Sequence, residues 1–82
     1  MEKRRISYSI GDTSKITGVS QKQIRNWEAH GYIPEAERIV CGERGYRRFN
    51  PAQVKVIQEV KGYLDQGYTL AYASKLALKK DV

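Results

Sequence analysis

A glycine-containing turn between two short, capped helices constrains this sequence most strongly. Ser9 has the residue type of a helix N-cap, and Ser20 stands where a second helix would begin. Gln23 follows Ser20 at the N3 position, which is the spacing of a capping box. Between the helices, Thr17-Gly18-Val19-Ser20 includes a glycine that can adopt a positive φ and end the first helix. The sequence therefore predicts a helix-turn-helix over about residues 9–31.

The segment after this motif changes from helical to β character. Arg38-Ile39-Val40 and Tyr46-Arg47-Arg48-Phe49 favour strands, and Gly42-Glu43-Arg44-Gly45 between them has the composition of a turn. We expect a β-hairpin over about residues 36–49, with strands of about three or four residues. A hairpin of this kind beside a helix-turn-helix is called a wing.

Two further helices complete the predicted fold. Asn50-Pro51 offers an N-cap and a proline at the first helical position, which predicts a helix over about residues 51–66 that Gly67 closes. A last helix is expected over about residues 70–79. The predicted fold class is mainly α with a small β-hairpin, a winged helix-turn-helix of four helices plus a two- to three-stranded wing. A chain of 82 residues suits a single domain over 1–82.

Apolar side chains at helical spacing indicate the core. In the second helix, Ile24 and Trp27 should point inward. In the first helix we expect Ile10 and Ile16 to share the inner face, and in the hairpin we expect Phe49 to be buried. The two later helices offer a larger apolar set, namely Val54, Ile57, Val60, Leu64, Leu70, Ala73, Leu76 and Ala77.

Charge and composition narrow the classes of partner. Fifteen Lys and Arg residues outnumber nine Asp and Glu residues, and the net charge of +6 favours a polyanionic partner. No apolar run is long enough to cross a bilayer, and one cysteine with one histidine cannot supply a disulfide or a structural zinc site. We therefore expect a cytoplasmic protein with no membrane partner, metal or cofactor. The sequence contains no catalytic triad or phosphate-binding loop, so we expect no enzyme.

One face of the second helix carries long polar donors near the helix N-terminus. A recognition helix meets base edges and phosphates at this end, where Arg suits guanine or phosphate and Asn or Gln suits adenine. A solvated face with no partner is the alternative for this helix taken alone. The residues predicted to contact DNA from this helix are Ser20, Gln21, Lys22, Arg25 and Asn26.

The hairpin carries a second group of donors. Guanidinium and phenol groups on a narrow ribbon can satisfy phosphate oxygens without reading bases. Strand alternation should place Tyr46 and Arg48 on one side, and Arg47 and Phe49 on the other. For Tyr46, the sequence allows either a core position or a phosphate contact. The hairpin residues predicted to contact DNA are Arg44, Tyr46, Arg47 and Arg48.

A series of short motifs also occurs in a specific order and approximate spacing. They are Tyr8-Ser9-Ile10-Gly11, Thr17-Gly18-Val19-Ser20, Ile24-Arg25, Trp27-Glu28, Gly31-Tyr32-Ile33-Pro34, Gly45-Tyr46-Arg47 and Gly67-Tyr68-Thr69-Leu70. This series resembles the DNA-binding domain of the MerR family of bacterial transcriptional regulators. The resemblance implies binding to double-stranded promoter DNA, with the helix of Arg25 in the major groove. It also implies that Tyr46 and Arg47 contact the DNA backbone and that a second wing lies around Gly67-Tyr68.

The chain departs from the family pattern at two places. The family usually has two aromatic residues where this chain has Asn26-Trp27, so Asn26 could read a base instead of contacting a phosphate. The stretch from Pro34 to Gly45 is also longer than usual, so the wing could reach differently.

Members of this family typically bind inverted repeats as dimers, through a long helix that follows the fourth helix. We therefore expect a homodimer only if the full-length protein has such a helix. Two other functions stay open. One is a stand-alone phage or mobile-element architectural protein of the excisionase kind, and the other is a module that binds an acidic protein or RNA.

Overall fold

The computed structural model describes residues 7–42 and 44–79, and these residues form four helices and one antiparallel hairpin. This architecture confirms the predicted winged helix-turn-helix. The third helix ends at Asp65, one residue before the predicted end. In chain order the elements are α1 (Ile10–Thr17), α2 (Gln21–Ala29), β1 (Glu37–Cys41), β2 (Arg44–Arg48), α3 (Pro51–Asp65) and α4 (Leu70–Lys79).

The first two helices begin at the predicted serine caps. The Ser9 hydroxyl accepts a hydrogen bond from the Asp12 backbone N–H at 3.0 Å, and the Ser20 hydroxyl accepts one from Gln23 at 3.1 Å. Gly18 ends α1 with φ of 77°, a left-handed conformation that favours glycine. The turn that joins α1 to α2 therefore forms for the reasons that the sequence indicates.

The inner face of α1 is not the one predicted from its isoleucines. Ile16 is 47% exposed, whereas Thr13 is fully buried and Thr17 nearly so. Ile10, Thr13 and Thr17 follow the i, i+3, i+7 spacing of one helical face, and Ile16 lies beside it. Each buried hydroxyl donates to a carbonyl one turn earlier at 2.8 Å, from Thr13 to Ser9 and from Thr17 to Thr13. Threonine can therefore occupy this face without an unsatisfied polar group.

The hairpin lies where the sequence predicts it, but its strands are longer than predicted. Each strand has five residues, and the register runs from Glu37 opposite Arg48 to Cys41 opposite Arg44. Gly42, the first residue after β1, has φ of 68°, the positive value that tight hairpin turns require at their first position. The hairpin can therefore continue into the segment that was predicted to be turn.

The core joins all four helices to the base of the hairpin. Phe49 is fully buried, and its backbone exchanges two hydrogen bonds of 2.8 Å with Tyr8 at the start of the chain. Trp27 is buried as predicted, while Val56 is an additional core residue that the sequence prediction missed. Among the residues that the structure describes, the buried apolar set is Val19, Ile24, Trp27, Ile33, Ala36, Phe49, Val54, Val56, Ile57, Val60, Ala73 and Ala77.

Candidate nucleic-acid interface

The exposed face of α2 carries all the polar residues predicted for it. The helix buries Ile24, Trp27 and Glu28 against the domain, so the remaining positions of its first two turns face solvent. The guanidinium of Arg25 lies 3.5 Å from the side-chain oxygen of Gln21, one turn earlier. The exposed polar residues of this face are Ser20, Gln21, Lys22, Arg25 and Asn26.

A buried carboxylate joins the same helix to the hairpin. Glu28 has a side chain only 3% exposed, and its oxygens accept hydrogen bonds from three groups of the following segment. These are the Ala36 backbone N–H at 2.6 Å, Arg38 Nη2 at 3.2 Å and Arg47 Nε at 2.8 Å. The carboxylate of one α2 residue thus contacts the entry to β1, β1 itself and β2.

Sequence reasoning did not single out Glu28 as a functional residue. A usable signal was present, because Glu28 lies four positions after the buried Ile24 and so shares its face of the helix. An acidic residue on an inward face needs positive or N–H partners, and here Arg38 and Arg47 of the hairpin supply them.

The surroundings of Glu28 keep its carboxyl group ionised. Burial by itself raises the pKa of this group. The hydrogen bond from Arg47, the backbone hydrogen bond from Ala36 and the charges of Arg38 and Arg47 together outweigh burial, so the pKa lies below its ordinary value of 4.5. A fixed negative charge therefore sits behind the basic surface of the hairpin.

The hairpin residues predicted to bind DNA divide into two groups by their contacts. Arg47 lies against Glu28 with a side chain 25% exposed, and Arg48 donates from Nε and Nη2 to the hydroxyl and carbonyl of Ser7, each at 3.0 Å. Tyr46 is instead 50% exposed, beside its exposed cross-strand neighbour Ile39, which excludes the core position for its ring. The Arg44 side chain lies outside the described part of the structure.

The connection between α2 and β1 is held from two sides. Glu28 binds the N–H of Ala36, and Gln53 of α3 donates from its side-chain amide to the carbonyl of Glu35 at 2.8 Å. Gln53 is fixed in turn because it completes a reciprocal capping box with Asn50 at the start of α3. This connection therefore sets the position of the hairpin relative to α2.

The corner between α3 and α4, where the resemblance implies a second wing, presents an aromatic cluster. Tyr68 packs edge-on against Tyr63, with ring centroids 5.8 Å apart. It also packs against Tyr72 in a tilted arrangement, with ring centroids 5.4 Å apart. Tyr68 and Tyr72 are both substantially exposed, while Tyr63 packs against the core. The corner thus presents the rings of Tyr68 and Tyr72 at the surface, in contact with each other.

Within residues 7–42 and 44–79, no group of three or more His, Cys, Asp or Glu side chains is arranged to hold a metal ion. No helix in those ranges has the length and apolar character needed to cross a membrane.

Comparison with known proteins identifies a family model and several regulators that are similar to this chain. The model of the MerR helix-turn-helix family of regulatory proteins matches residues 8–80. The mercuric resistance operon regulatory protein of Bacillus cereus is 34% identical over 71 residues, which are 87% of this chain and 52% of that protein. Heavy metal-dependent transcription regulator 2 of Rhizobium meliloti (strain 1021) is 35% identical over 74 residues, which are 89% of this chain and 48% of that protein.

Solved structures agree in fold. A MerR-family transcriptional regulator from Bacillus cereus superposes with a TM-score of 0.79 at 16% identity, over 94% of this chain and 55% of that one. HiNmlR, a MerR-family regulator that lacks the sensor domain and was crystallised with promoter DNA, gives a TM-score of 0.73 at 20% identity. The latter match covers 92% of this chain and 55% of that one. The chain spans about half the length of the curated relatives it matches.

Proposed function

Because the chain belongs to the MerR family of helix-turn-helix regulatory proteins, we propose that it binds double-stranded DNA sequence-specifically, as the DNA-binding domain of a bacterial transcriptional regulator. The observation that carries the proposal is the exposed polar face of α2, which is joined through Glu28 to a basic hairpin. In this proposal α2 enters the major groove and the hairpin lies along the phosphate backbone.

Each predicted contact residue has a separate task in this arrangement. Lys22, Arg25 and Asn26 project from the N-terminal half of α2 and read base edges, while Ser20 and Gln21 stand at the helix start, where N–H groups favour phosphate. On the hairpin, the following residues contact phosphates: Arg44, Tyr46, Arg47 and Arg48. The exposed phenol of Tyr68 at the α3–α4 corner marks the second wing.

The wider biological role follows from the family. The protein acts on promoter DNA in the cytoplasm, as a single domain over residues 1–82, and carries out no enzymatic step. It forms a homodimer only if the full-length protein contains a dimerisation helix. The matched relatives carry the names of regulators, which favours regulation over the architectural role of an excisionase.

A duplex selected by the wild-type chain from a random pool provides the test, with fluorescence anisotropy as the readout. We expect Arg25→Ala or Asn26→Ala to cost about 1–3 kcal/mol of binding free energy and to relax preference at particular base pairs. Arg47→Ala should weaken binding to every duplex without relaxing preference at any particular base pair, and should reduce the slope of log K against log salt by about 0.9. Lys79→Ala is the charge-matched control, about 14 Å along α4 from the proposed second wing.

Two results would contradict this function. If the selection yields no preferred duplex, the proposal of sequence-specific binding is wrong. Equal affinity for duplex, single-stranded DNA and RNA would instead point to a general polyanion-binding module.

A further inference from the structure

In the described part of the chain, hydrogen bonds attach the strands of the hairpin to the rest of the domain at two places. At its base, the backbone bridge between Phe49 and Tyr8 and the contact of Arg48 with Ser7 hold the end of β2. Toward α2, the side-chain hydrogen bonds described for β1 and β2 end on the carboxylate of Glu28, which receives both Arg38 of β1 and Arg47 of β2. The angle between the hairpin and α2 therefore depends on this group.

The position of Glu28 also has an electrostatic consequence for DNA binding. A negative charge close to a DNA-binding surface opposes the approach of phosphates, so a purely electrostatic surface would be better without it. Buried ion pairs are in addition a poor means of gaining stability, because desolvation offsets most of the attraction between the charges. What this carboxylate can do is fix the position of the hairpin relative to α2, because three donors of the hairpin and its entry converge on it.

Arg47 can serve two acceptors at once. Its Nε is held by Glu28 at 2.8 Å, and a guanidinium has five N–H donors in a fixed plane. Fixing Nε also fixes the plane, so the other N–H groups of a partly exposed side chain have a defined direction. A lysine has the same charge but cannot be held in this way.

We propose that Glu28 is a positioning residue for DNA recognition, which sets the hairpin against α2 and orients Arg47 toward a phosphate. This inference rests on the proposed function. Specific binding requires α2 in the groove and the hairpin on the backbone at the same time, so it depends on the angle between them. Non-specific binding depends on charge and tolerates many orientations.

Glu28→Gln separates geometry from charge, because glutamine retains an oxygen for the Ala36 N–H but loses the ionic contacts with Arg38 and Arg47. We expect affinity for the selected duplex to fall at least about tenfold, the equivalent of one charge-assisted hydrogen bond. Affinity for a scrambled duplex should be unchanged or slightly higher. Asp65→Asn is the matched control, since it makes the same charge change in an exposed pair with Lys61 of α3 and should leave the ratio of the two affinities unchanged.

Two further variants separate positioning from loss of fold. In an Arg47→Ala background, Glu28→Gln should have a smaller effect on the selected duplex than it has in the wild-type chain, because the guanidinium that Glu28 orients is gone. Arg47→Lys changes a partly exposed side chain, so the domain should fold, and the ratio should fall as it does for Glu28→Gln. Circular dichroism and the unfolding midpoint establish that each variant is folded.

The outcomes distinguish this inference from the function on which it rests. If the wild-type chain selects a duplex but Glu28→Gln or Arg47→Lys keeps the wild-type ratio, the positioning role is wrong and the DNA-binding function stands. A full additional effect of Glu28→Gln in the Arg47→Ala background also overturns it. If the wild-type chain shows no preference among duplexes, both proposals fail.

Discussion

Alanine substitutions at Gly18 and Gly62 should change the stability of the domain in opposite directions. A Cβ added at either position meets no heavy atom within 4 Å, apart from its own chain neighbours and helix backbone, so steric crowding is absent in both cases. The backbone conformations differ, because Gly18 ends α1 at φ of 77° whereas Gly62 lies inside α3. The pair therefore isolates the contribution of backbone conformation.

The magnitudes follow from that difference. A left-handed conformation costs an alanine about 1–2 kcal/mol, and the reduced freedom of the unfolded chain returns part of this, so Gly18→Ala should lower the unfolding free energy by about 1 kcal/mol. Inside a helix, replacing glycine by alanine gains about 0.5–1 kcal/mol, which is the expectation for Gly62→Ala. For a domain of this size, 1 kcal/mol shifts the melting temperature by about 4–8 °C.

Thermal and urea unfolding, followed by circular dichroism, measure both effects. The double variant should lie close to wild type, because the sites are on separate helices and their effects should add. A Gly18→Ala protein as stable as wild type would refute the reasoning, since it would mean that the turn between α1 and α2 does not need a left-handed residue. A shift in the same direction for both variants would refute it equally.

Two other predictions concern acid stability and the core. Because folding lowers the pKa of Glu28, its stabilising contribution is complete above about pH 4.5 and is lost as pH falls through the lower folded value. Urea unfolding should therefore show that the stability advantage of wild type over Glu28→Gln shrinks only below about pH 4.5. A constant difference from pH 7 to pH 3 would contradict this. Phe49→Ala should lower the unfolding free energy by about 3–5 kcal/mol and Phe49→Leu by under about 1.5 kcal/mol, as followed by the fluorescence of Trp27. A loss under about 1.5 kcal/mol for Phe49→Ala would show that Phe49 is not tightly packed.

Local sequence signals predicted the elements of this fold well. Helix caps and helix stops act through neighbouring backbone groups, so a few residues are enough to predict them. Examples are the caps at Ser9 and Ser20, the glycine between them and the Asn50-Pro51 start of α3. Gly42 shows the limit of such reasoning. The turn composition around it was visible, but strand pairing beyond the expected ends depends on the opposite strand.

The candidate interface was predicted only in part, because its contacts are distant in sequence. The exposed face of α2 follows from helical periodicity, and Arg25 and Asn26 lie where that periodicity places them. The pairing of Glu28 with Arg47 joins residues 19 positions apart, which no local pattern specifies. Ile16 was misplaced because hydrophobicity was weighed above face geometry, and threonine hydroxyls that bond to their own helix are compatible with burial.

The bridge between Tyr8 and Phe49 bears on the order in which the chain acquires its structure. Together with the contact of Arg48 with Ser7, it closes a loop across 41 positions of sequence, and such closure costs conformational entropy before any contact is gained. During synthesis, Ser7 and Tyr8 therefore lack these partners until residue 49 has emerged. Amide exchange at the start of α1 and in β2 should consequently slow in the same kinetic phase of refolding, with neither region protected alone.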